Sequence, residues 1–137
     1  MISLKQTLSA ITSKFTALNT LLNDVPHYTL LWTNPNPTSA FAAQTISLDL
    51  SKYDAVAIDL TMYTAGSNVH NQTFLGSVGS SMILSGILYS TAPTDLMRIG
   101  DVTASGVIFN NGRAYGAVNN GAVIPYKIYG IKFGGGV

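Results

Sequence analysis

Over its first two dozen residues the chain repeats apolar side chains in steps of 3, 4, 3, 4, 3 and 4, at Met1, Leu4, Leu8, Ile11, Phe15, Leu18 and Leu22. This is an unbroken heptad seam, with Met1, Leu8, Phe15 and Leu22 at a and Leu4, Ile11 and Leu18 at d. No Pro or Gly interrupts it, and Asn23-Asp24 followed by Pro26 ends it. The spacing predicts a helix about 35 Å long. A helix lying on its own globular core needs a wider apolar face than strict a/d. Here the flanks are Lys5, Thr7, Thr12, Lys14 and Asn19, and Leu21 is the one apolar flank residue. The narrow stripe fits self-association through Leu4, Leu8, Ile11, Phe15, Leu18 and Leu22. An amphipathic helix folded onto its own domain is the alternative. Complementary charges at e and g are missing, while Phe at a and Ile at d lean from dimer towards trimer.

From Tyr28 onward the period changes to two. In "TISLDLS" Ile46, Leu48 and Leu50 share one face, and Thr45, Ser47, Asp49 and Ser51 the other. In "AVAIDLTMYT" Val56, Ile58, Leu60 and Met62 oppose Ala57, Asp59, Thr61 and Tyr63. Six more stretches read as strands: "HYTLLWT", "QTFLGSV", "SSMILSGILYS", "DLMRIGDVT", "GVIFNNGRAYG" and "AVIPYKIYGIKF". Turn signals separate them at Pro35-Asn36-Pro37, Ser51 to Asp54, Ala65 to Asn68, Ala92 to Asp95, and Asn111-Gly112. Asn111-Gly112, flanked by Val107, Phe109 and Tyr115, predicts a tight hairpin. About eight short strands without a second helix predict an antiparallel β-sandwich or jelly-roll head. The division is a helical, coiled-coil-like stalk over residues 1–25 and a β head over 26–137.

Charged residues make up only 9% of the chain, there is no Glu, and Ser, Thr, Asn and Gly fill the polar positions. Such uncharged surfaces suit packing into assemblies, because no like charges are brought together. Five Lys and two Arg are scattered without a basic stripe, so no nucleic-acid footprint is present. The absence of Cys excludes disulfides, thiol catalysis and zinc-thiolate sites. No apolar run is long enough to span a membrane. "MISLKQTLSA" has no apolar core of a secretory signal. An extracellular role then implies release by lysis or within an assembly.

Catalytic readings find little support. The acid–base inventory is six Asp and two His, and nothing singles out a carboxylate pair. His27 and His70 are far apart with no third ligand nearby, so neither a metal site nor a cofactor is expected. "GSVGSS" lacks the Lys and following helix of a phosphate loop. Arg98 lies within a predicted strand and is expected to pair with Asp101, Asp59 or a neighbouring subunit. The single Trp, Trp32, has two readings. Stacked with Tyr28, Asn34, Asn36, Asn119 and Asn120, it forms a sugar-binding patch at a loop mouth. In "YTLLW", however, alternation places Leu30 and Trp32 on one face, where a Trp in register with a Leu closes the end of a core.

"WTNPNPTSAFAAQT" and "IPYKIYGIK" carry a resemblance to small β-rich structural proteins of tailed bacteriophages and prophages of Gram-positive, often gut, bacteria. It extends over roughly Tyr28 to Phe133. The resemblance implies a virion component of fibre, tail or baseplate type, made in the host cytoplasm and resident in the particle. Short helical stalks that trimerise such fibres match the Met1–Leu22 seam. The implied partners are copies of the same chain, other virion proteins and a host-surface glycan. The expected function is multivalent attachment without catalysis. The alternatives are a decoration protein that binds no ligand and a glycan-degrading enzyme.

Overall fold

The computed structural model describes residues 1–63, 71–88 and 94–134. Among these residues the one helix, α1 (Leu4–Asp24), starts at a capping box that the heptad pattern does not reveal. The Ser3 hydroxyl accepts from the Gln6 amide, while the Gln6 side chain accepts from the Ser3 amide. The expected stop holds, since Val25 is already extended ahead of Pro26. Thr7, Thr12, Ser13, Thr16 and Thr20 donate their hydroxyls to carbonyls four residues back. These hydroxyls are therefore satisfied within the helix itself. Residues of this type weaken an isolated helix.

The remainder is mostly β, in two antiparallel sheets. One sheet has the order β1 (His27–Thr33), β10 (Ala122–Lys132), β3 (Ala55–Tyr63), β4 (Asn71–Ser77). In the other, β6 (Thr94–Thr103) is central and pairs on one side with β5 (Ser81–Leu88). Its other side pairs with β7 (Gly106–Phe109) and then β8 (Arg113–Ala114); β2 (Gln44–Ser47) lies beyond β7 and β9 (Ala117–Val118) beyond β8.

One apolar core lies between the sheets. Val56, Ile58, Leu60 and Met62 of β3, with Ile124 and Ile128 of β10, meet Met82, Leu84, Leu96, Val102, Val107 and Phe109 from the other sheet. The alternation expected in "AVAIDLTMYT" thus holds, as does burial of Leu50 with its partly buried neighbours Ile46 and Leu48. β10 is central although it contains Pro125. The register slips between Pro125 and Lys127, and this bulge accommodates the missing donor.

Three expectations change. The alternation in β1 breaks at a bulge between Leu30 and Trp32, so Leu30 is exposed while Leu31 and Trp32 both pack on the core. Asn111-Gly112 makes no hairpin, because β7 and β8 run one after the other along the same side of β6. The two-residue turn is instead Tyr115-Gly116 between β8 and β9, where both residues have positive φ, 52° and 74°. The strands number ten among the described residues. The turn signals at Ala65–Asn68 and Ala92-Pro93, and His70, lie outside the described residues.

Asp54 fastens the end of β10. Its carboxylate accepts from the Phe133 amide at 2.8 Å and from Lys132 Nζ at 3.1 Å. These bonds, the backbone amide first, hold its carboxyl below the ordinary value of 3.8. A carboxyl depressed on folding contributes stability above its unfolded pKa and loses it as pH falls through the folded value. Asp54→Asn is therefore expected to flatten the decline of melting temperature below pH 3.8, measured by circular dichroism across an acid series.

Candidate functional site

The heptad seam is bare. None of the residues of α1 is buried, and Leu4, Leu8, Ile11, Phe15, Leu18 and Leu22 are each about half exposed or more. Ile11, Phe15 and Leu18 enclose a hollow of about 240 Å³ with the Lys14 stem. The four side chains stand at i, i+3, i+4 and i+7 and leave this shallow depression open to solvent.

Of the residues expected to form a binding patch, Trp32, Asn119 and Asn120 gather around Arg98. β6 alternates so that Leu96, Arg98, Gly100 and Val102 all point inward. The guanidinium is 1% exposed and has no carboxylate partner among the described residues. The expected pairing is replaced: Asp59 accepts from the Thr73 hydroxyl and Asp101 from the Ser81 hydroxyl. Arg98 instead holds backbone carbonyls. Nε donates to Val123 at 2.6 Å and Nη2 to Phe41 at 2.8 Å and Ala122 at 3.2 Å, while Nη1 donates to Asn110. Its charge also lies 5.3 Å from the centre of the Phe41 ring. Burial pushes the guanidinium down to about 10, so it stays protonated at neutral pH.

The Asn-Gly pair finds its purpose here. A Cβ on Gly112 would lie 2.4 Å from the Ala122 carbonyl and 2.8 Å from Arg98 Nη2. Glycine lets the broken strand close over the guanidinium. Val123 holds a left-handed φ of 51°, which a β-branched residue rarely adopts, and its carbonyl is the one bound by Nε.

Trp32 lies at the edge of this knot. Its ring meets Phe41 edge-on at 6.3 Å, and Phe41 meets Phe109 likewise at 5.7 Å. Asn34 is buried with both ends of its amide engaged: Nδ2 donates to the Pro125 carbonyl, and Oδ1 accepts from the Asn36 amide. Asn120 accepts from Gly112, and Asn119 from Gly121. Asn36 and Tyr28 are exposed, but Tyr28 stands at the opposite end of β1 on its outer face. The six residues therefore form no common surface. Trp32, Asn119 and Asn120 are brought together as supports of the Arg98 knot.

Both sheets also have notable outer faces. On the six-stranded sheet Ile83 faces Ile99, with Met97, Ile87, Ile108 and Val118 around them. Ile83, Ile87 and Val118 are largely exposed. Ser85, Asp95, Asp101 and Arg113 are interspersed among them on the same face. On the four-stranded sheet Tyr28, Ala57, Asp59, Thr73 and Tyr129 line a shallow groove of about 330 Å³. Sequence reading missed Tyr129 and Thr73, because only strand pairing brings them beside Tyr28. Among the described residues no three metal-ligating side chains cluster, and no helix is long and apolar enough to cross a membrane. Comparison with protein-family models, with curated proteins and with solved structures finds no match.

Proposed function

We propose that this chain is a structural protein of a tailed-phage virion, a fibre or tail component that clusters β heads for attachment to the host surface. The observation that carries the assembly is the helix itself: 21 residues with a strict heptad seam and not one residue buried. A helix rich in Thr and Ser, without intrachain packing, depends on neighbours of the same period for its stability. Copies of the chain are those neighbours, three in number on the a and d residue types. The two sheets are then layers of a sandwich-type, jelly-roll-like head. The heads meet through the apolar outer face around Ile83 and Ile99, which adds the contact that a short stalk needs.

The viral assignment rests on the resemblance carried by Trp32–Thr45 and Ile124–Lys132. In the fold these two segments meet, where Asn34 donates to Tyr126 through its backbone and to Pro125 through its side chain.

Attachment of this kind is multivalent. Three weak sites held close together bind far more tightly than one. Fluorescently labelled protein is expected to be retained on Gram-positive cells. The monomerised Ile11→Asp/Leu18→Asp form should bind them on the order of 100-fold more weakly. Retention on phage particles but not on cells supports decoration instead, and degradation of cell-wall glycan supports the enzyme reading.

A further inference from the structure

The groove on the four-stranded sheet has its own chemistry. Three outward rows cross the sheet: Leu30–Tyr129–Ala57–Leu75, Tyr28–Ile131–Ala55–Ser77 and Thr33–Lys127–Asp59–Thr73. Larger side chains stand on either side of the alanines of β3, so β3 becomes the floor of a trough. Ala57 is 2% exposed at its base, whereas Tyr28 is 58% exposed on its wall.

The polar groups converge on that trough. Asp59 Oδ1 accepts from the Thr73 hydroxyl at 2.7 Å. Oδ2 bonds no described residue, and neither do the phenols of Tyr28 and Tyr129. An acceptor and two amphoteric hydroxyls therefore surround an apolar floor with unused hydrogen-bonding capacity. A few placed polar groups over an apolar lining are the pattern of a small-molecule site. The volume is at the low end of the roughly 300–1,000 Å³ of such sites, room for about one ring.

We infer that this groove binds a single neutral sugar ring, whose apolar face rests on Ala57 and the tyrosines and whose hydroxyls bond Asp59 and the phenols. A neutral polyol suits it better than an organic cation, because Lys127, in register with Asp59, keeps a positive charge on this part of the sheet even though its Nζ is turned over the Tyr126 ring. Lys127 Nζ rests 4.9 Å from the centre of the Tyr126 ring, so it leaves Asp59 free for a ligand. The inference deepens the attachment reading by naming a site and a ligand class. Its chemistry is complete within one head.

The test is a titration of the isotope-labelled full chain with free monosaccharides, namely glucose, galactose, rhamnose and N-acetylglucosamine, with choline as the cation control. Amide shifts are followed by NMR. Saturable shifts at Tyr28, Ala57, Asp59, Thr73 and Tyr129 are expected for at least one sugar. Tyr28→Ala should abolish them, and Asp59→Asn should weaken binding roughly tenfold, both at exposed or partly exposed positions that leave the core intact. Silence with every sugar, shifts centred on Trp32 and Asn36, indifference to Tyr28→Ala, or preference for choline would each overturn the assignment. An oligomer that ignores sugars defeats the groove alone. A monomer that binds them defeats the assembly alone.

Discussion

The Ile11→Asp/Leu18→Asp chain is expected to run as a monomer in light scattering at concentrations where the native chain has three times that mass. Both positions are d sites of the seam, on consecutive heptads, and both side chains are exposed in the single chain. Neither is buried against the head, so the head should keep its near-ultraviolet spectrum and its melting transition. In a three-stranded assembly the same changes bury six carboxylates at the centre of the stalk. Each buried charge without a partner costs several kcal/mol, far more than the remaining a and d residues recover. Helical circular dichroism should fall along with the mass, because the freed helix has little support of its own. An unchanged mass would show that the heads hold the particle together, and would move attention to Ile83 and Ile99. A native chain that is itself a monomer would remove the basis for multivalent attachment.

The second large effect belongs to Arg98. Arg98→Met keeps an unbranched, similarly long side chain but leaves the carbonyls of Phe41, Asn110, Ala122 and Val123 without their donors. An unsatisfied buried acceptor costs about 1–3 kcal/mol, so the combined loss is expected to reach ~3–5 kcal/mol. That is a large part of a domain's typical stability of about 5–15 kcal/mol. Arg98→Lys keeps the charge but presents a single nitrogen where the guanidinium presents three, and should fall between the native chain and Arg98→Met. Urea unfolding followed by Trp32 fluorescence reads both, since the indole packs on Phe41 beside the knot. A loss below about 1 kcal/mol for Arg98→Met would mean that the carbonyls find other donors. The strained φ of Val123 belongs to the same device, because a left-handed valine persists only where its surroundings hold it.

The fate of Trp32 follows from this knot. Its choice between platform and plug turned on which side of β1 it faces. Simple alternation put it beside Leu30, yet the bulge separates the two. Trp32 still turns towards the core because the chain must bring Asn34 against the bulge of β10. The amide groups expected to read sugar hydroxyls are largely occupied within the fold. Tyr28 is the one residue of that set that lines the groove, and its companions there come from β3, β4 and β10.

Local pattern alone determined the helix with its seam, the period-two strands, and the inward faces of β3 and of the segment around Ile46, Leu48 and Leu50. Each of these depends on neighbours a few residues apart, and the periodicity records them directly. The heptad stripe is legible for the same reason, as is the shortage of charge. Only the tertiary structure decided what Arg98, Gly112 and Tyr129 do, since their partners lie far along the chain and arrive by strand pairing. A buried arginine looks in sequence like any strand cation, and an Asn-Gly pair like any hairpin. What separates them is the set of carbonyls that the fold delivers, because an ion can be buried only where enough backbone dipoles converge to replace its water.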